Sequence, residues 1–146
     1  MKRDSKIYTS FLILGLTPYL AYYCILSQAN YWTRFYDKRV LTLNAMIFTT
    51  AEFLGGILAA PFDKKWNSRT FALVNFIVES VCLVSLIPCG YIPNMIVKTV
   101  ITAIPIAIYG VGSSMFYSAL IASSSRVGPL YSTAIQIGAG LSSIAV

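Results

Sequence analysis

Charged residues are bunched along this chain, and long apolar runs lie between the bunches. The pattern predicts five membrane-spanning helices. The first covers roughly Ile7–Asn30, with an aromatic edge at Tyr31 and Trp32, and "TRFYDKR" connects it to the second, roughly Val40–Ala60, stopped by Pro61. "FDKKWNSR" leads to the third, roughly Phe71–Tyr91, and the short turn "YIPN" to the fourth, about Val97–Ser123. The fifth begins near Leu130, after a Gly-Pro break, and runs to Val146. A hydrocarbon core needs about 20 apolar residues per helix, and the first four runs reach that. The fifth would rise only about 25 Å at 1.5 Å per residue, so an incomplete transmembrane bundle is expected.

Composition sharpens this picture. Of 146 residues, 57% are hydrophobic and 11% charged, less than half the charged share of an ordinary soluble domain. The first apolar run holds about 27 uncharged residues from Ile7 to Thr33, too many for a signal-peptide core. It reads as a first transmembrane helix that also targets the chain.

The net charge of +6 sits at the ends of apolar runs, where topology and anionic lipid account for it. No basic stripe interleaved with aromatics points to nucleic acid. With a cytoplasmic N-terminus, Lys2, Arg3, Lys6, Lys64, Lys65, Arg69 and Arg126 lie inside, against Arg34, Lys38, Arg39 and Lys98 outside. That excess favours the orientation.

The chain has no histidine, which excludes Ser-His-Asp triads, Cys-His dyads and His-based zinc sites. Cys24, Cys82 and Cys89 lack metal-ligand spacing and read as small packing residues. Neither an enzyme nor a cofactor is expected.

Small residues recur every four positions in three segments: Ala51, Gly55 and Ala59; Gly110, Ser114, Ser118 and Ala122; Ala134, Gly138 and Ser142. Each set lies along one helix face. In lipid, close packing decides which helices meet, and small side chains permit it. A packed bundle is therefore expected, with these faces inward. Transporters and inert bundles both need such seams.

Polar residues inside the apolar runs supply the candidate chemistry. Glu52 and Glu79 fall near the middle of the second and third segments. A central acid is costly in a membrane and normally faces the bundle interior or a wet cavity. Either it shapes a polar or proton-sensitive path, or it bonds a neighbouring helix and fixes register. Asn44, Asn75, Gln28 and Gln136 add amides that need partners. "PYLAYY", Pro18 to Tyr23, either lines a ligand slot or packs, with Pro18 bending the helix.

The stretch "RVGPLYSTAIQIGAG" resembles the equilibrative nucleoside transporter family. That family carries an Arg or Lys, then Pro-Pro-x-Tyr-Thr-x-Ala-Val, then Gly-x-Gly. Arg126, Pro129, Tyr131, Thr133 or Ser132, Ala134, Ile135, Gly138 and Gly140 fit at that spacing, with Gly128 in place of the first proline. The family's Gly-x-x-x-Pro-Trp-Asn and later Tyr-Phe or Tyr-Trp are matched loosely by Gly15, Leu16, Pro18, Tyr19 and Tyr31-Trp32. The likeness is detailed only from Tyr117 to Ser143.

The resemblance implies facilitative transport of nucleosides or nucleobases by alternating access in an all-α polytopic membrane protein. This chain would supply the first five of eleven helices, a bundle like the N-terminal half of a major-facilitator-like transporter. The family's substrate-facing glutamine in the fourth helix falls on Tyr117. Its first-helix tryptophan falls on Tyr19, or on Tyr22 if the alignment is anchored on Tyr31-Trp32, and the following asparagine on Leu20 or Tyr23. Tyr19, Tyr22 and Tyr117 are then expected to contact the base, and Glu52 and Glu79 to shape or protonate the path. Partners would be the substrate, the bilayer and a second helical bundle, which another chain could supply. The expected location is the plasma membrane rather than an organelle. The alternative is a truncated, non-transporting paralogue or assembly partner.

Overall fold

A computed structural model describes residues 4–59 and 68–144. Among these residues the regular elements are helices: α1 (Ser5–Ser27), α2 (Ala29–Phe35), α3 (Lys38–Ala59), α4 (Ser68–Cys89), α5 (Met95–Val127) and α6 (Pro129–Ser142). Four of them, in α1, α3, α4 and α5, are long and apolar enough to cross a membrane. The chain is an all-α polytopic membrane protein. Lys2, Arg3, Lys64 and Lys65, used above for orientation, lie outside the described residues.

Local chemistry sets the helix ends. Asp4 accepts a bond from the Lys6 N–H at 3.1 Å and caps α1. Asp37 does the same for Arg39 at the start of α3. The Asn94 side chain accepts from the N–H groups of Ile96 and Val97 and starts α5. Each side chain satisfies an amide that the helix itself leaves free. Between α5 and α6, Gly128 takes a positive φ of 153°, a region that favours glycine, and Pro129 opens α6 with φ already helical.

One element differs from the expected connector. The chain breaks at Gln28 and resumes as α2, which carries the aromatic edge. Trp32, 2% exposed, donates from Nε1 to the Ile25 carbonyl at 2.8 Å and folds α2 back onto α1. The Tyr31 hydroxyl donates to the Leu86 carbonyl at 3.0 Å on α4. Lys98 of α5 donates to the Phe35 carbonyl at the end of α2, and its Nζ lies 5.2 Å from the Tyr36 ring centroid. A cation is favoured both at a helix C-terminus and over an aromatic face.

Packing is closest in two helix pairs, α3 with α5 and α1 with α6. The small-residue seams face inward in both. A Cβ on Gly55 would lie 2.5 Å from the Val111 carbonyl oxygen, and one on Gly110 2.9 Å from the Ala51 Cβ. A Cβ on Gly138 would strike the Leu12 carbonyl, and one on Gly15 the Ile135 carbonyl. Ala134 and Ser142 are fully buried. Bulky apolar side chains point outward instead, as with Phe53, Val84 and Ile96. Lipid is as apolar as these side chains, so the bundle is held by backbone approach and polar contacts.

Candidate functional site

Two helix faces meet at a cleft of about 380 Å³. Tyr19, Tyr22, Tyr23 and Leu26 form one face of α1, at positions i, i+3, i+4 and i+7. Ala45, Phe48, Thr49 and Glu52 form the matching face of α3, and Ala139 of α6 borders it. Such spacing places all four side chains of each helix on one side.

Rings organise the cleft. Tyr22 stacks on Phe48, with centroids 3.5 Å apart and planes 11° apart. Tyr19 meets Tyr117 of α5 edge-on, at 5.6 Å and 63°. Tyr19 of α1 and Glu52 of α3 face the same cleft. Tyr109 of α5, 3% exposed, donates to the Pro18 carbonyl at 2.9 Å and braces α1 just before its tyrosines.

Of the five residues the sequence marks as candidates, Tyr19, Tyr22 and Glu52 line this cleft, and Tyr117 borders it through Tyr19. Glu79 is not brought to it. It is 5% exposed on α4, where the Asn75 amide donates to its carboxyl at 2.7 Å. Asn75 in turn sits against α5, at a point where a Cβ on Gly112 would lie 2.8 Å from the Asn75 oxygen. The bond joins two residues one turn apart on α4 and does not tie Glu79 to a neighbouring helix.

Phe48 and Thr49 also line the cleft, and sequence reasoning passed over both. Their signal was present: they stand four and three residues before Glu52, on its face. The amides diverge. Asn75 has Glu79, Gln136 is exposed on α6, and Asn44 is fully buried with neither side-chain atom bonded.

Chemically, the cleft offers aromatic faces, one carboxyl and the Thr49 hydroxyl. Flat rings with a few placed polar groups suit a planar solute of mixed polarity. Among the described residues, no three His, Cys, Asp or Glu side chains stand close enough to hold a metal ion. The chain matches no protein family, no curated protein and no solved structure.

Proposed function

We propose that this chain forms the substrate-binding part of a facilitative carrier for nucleosides or nucleobases. In this reading its bundle plays the part of the N-terminal half of a major-facilitator-like transporter and rocks against a second helical bundle around the cleft. The N-terminus is cytoplasmic and the membrane is the plasma membrane. One observation carries the reading: Tyr19 of α1 and Glu52 of α3 line one cleft, and the Tyr19 ring meets Tyr117 of α5 at its border. A base stacks on the tyrosines, and Glu52 receives a ring N–H or a sugar hydroxyl. Alternating access needs no covalent step, only a site that two bundles can reach in turn.

A second reading, a non-transporting assembly partner, is favoured by the outer face of α6. Gln136 is exposed there, and a Cβ on Gly140 would meet nothing within 4 Å. An amide and a bare glycine suit a protein neighbour better than acyl chains. Uptake of labelled adenosine or hypoxanthine into proteoliposomes holding this chain alone separates the two. Saturable, substrate-specific uptake supports the carrier. Absence of both binding and uptake supports the partner.

A further inference from the structure

Asn44 stands out among the buried polar side chains. It is fully buried, and neither its oxygen nor its nitrogen has a hydrogen-bond partner. An amide can make four such bonds, and burying it with none is expensive. It faces a small chamber of about 10 Å³, walled by Tyr22, Leu26, Trp32, Cys82, Ile106 and Tyr109. The two best donors in those walls are committed elsewhere. Trp32 donates to the Ile25 carbonyl and Tyr109 to the Pro18 carbonyl. The chamber has room for about one water or one functional group.

Only a thin partition separates this chamber from the cleft. Tyr22 and Leu26 belong to both walls. Asn44, Phe48 and Glu52 follow at four-residue steps along one face of α3, spanning about 12 Å. The Tyr22 ring, stacked on Phe48, lines both the chamber that holds Asn44 and the cleft that holds Glu52. A flat ring taking the place of Tyr22 on Phe48 would bring its edge to the amide.

We propose that Asn44 is a second polar subsite of the cleft, opened when Tyr22 turns off Phe48, and that it takes the paired N–H and carbonyl edge of a planar heterocycle. This rests on the carrier reading above and adds the part of the substrate that is recognised. An amide presents a donor beside an acceptor and can pair with such an edge through two bonds. In an apolar chamber those bonds favour a ring that carries the edge over one that lacks it.

The test is equilibrium binding to the full chain in lipid nanodiscs. The probes are hypoxanthine, which has the N–H and carbonyl pair, and purine, which does not. Wild type is expected to favour hypoxanthine about tenfold, the effect of about one net hydrogen bond. Asn44→Leu, a near-isosteric change that removes the orphan amide, is expected to bind both rings at the affinity of purine. Asn44→Ala, run beside it, gives the same readout should the leucine fit badly. Purine binding in each variant reports that the cleft is intact. An unchanged preference in the variants, or no preference in wild type, overturns the subsite and leaves Asn44 with a resident water only. Failure of wild type to bind either ring overturns the carrier reading and the subsite with it.

Discussion

The Tyr109 hydroxyl of α5 donates to the Pro18 carbonyl of α1 at 2.9 Å, joining the longest helix to the point where the first one loses a backbone bond. Tyr109→Phe is expected to cost about 1 kcal/mol, the net worth of one hydrogen bond. Tyr109→Ala also loses a buried ring, about 3–5 kcal/mol. Unfolding of the detergent-solubilised chain measures both. A Tyr109→Phe variant as stable as wild type would mean that the hydroxyl contributes nothing.

Gly138 and Gly140 lie two residues apart and should respond in opposite ways. A side chain at Gly138 runs into the Leu12 carbonyl, so Gly138→Val should separate α1 from α6 and destabilise by at least about 1–3 kcal/mol. Gly140→Ala meets open space and should be neutral, or stabilising by up to about 1 kcal/mol through helix propensity. A comparison of unfolding midpoints checks this, and similar behaviour of the two would refute the packing described for α6.

Glu79 should matter for stability and not for solute. Glu79→Gln keeps an acceptor for the Asn75 amide and should be close to neutral. Glu79→Leu strands that donor and should cost about 1–3 kcal/mol. Neither should change solute affinity, whereas Glu52→Gln should weaken it. A loss of affinity in Glu79→Gln would place Glu79 at the site.

Alkaline pH should loosen the α2 cap. Burial, with Tyr36 beside it, pushes the Tyr31 hydroxyl from its ordinary value near 10 up to about 12, and burial raises Tyr36 as well. The folded state therefore favours the neutral hydroxyl. Its contribution is complete below pH 10 and is lost as pH climbs through about 12. Stability should fall across that window, less steeply in Tyr31→Phe. An identical fall in the variant would sink this assignment.

Much of the bundle was legible because small residues at four-residue spacing have one strong use in lipid. Ala51, Gly55 and Ala59 face inward for that reason. Which helix each seam meets was not legible. Gly15 receives α6 only because Gly138 and Ile135 approach it, a fact of two distant segments. Nor was α2 legible, since its fold-back depends on Trp32 reaching the Ile25 carbonyl. At the site, Glu52 and Glu79 look alike in sequence, each an acid in mid-segment. Asn75, one turn before Glu79, was the readable difference. That Asn44 lacks the partner its amide needs emerges only when Trp32 and Tyr109 are seen to donate elsewhere.

The proposed carrier requires a cleft able to hold a flat solute between tyrosines and Glu52. The most direct measurement is equilibrium binding of labelled hypoxanthine and adenosine to the purified chain, alongside Tyr19→Ala and Tyr117→Ala. Saturable binding by wild type, weakened at least about tenfold in both variants at unchanged helicity, is the predicted result. Absence of binding by wild type, or equal binding by all three proteins, would contradict it.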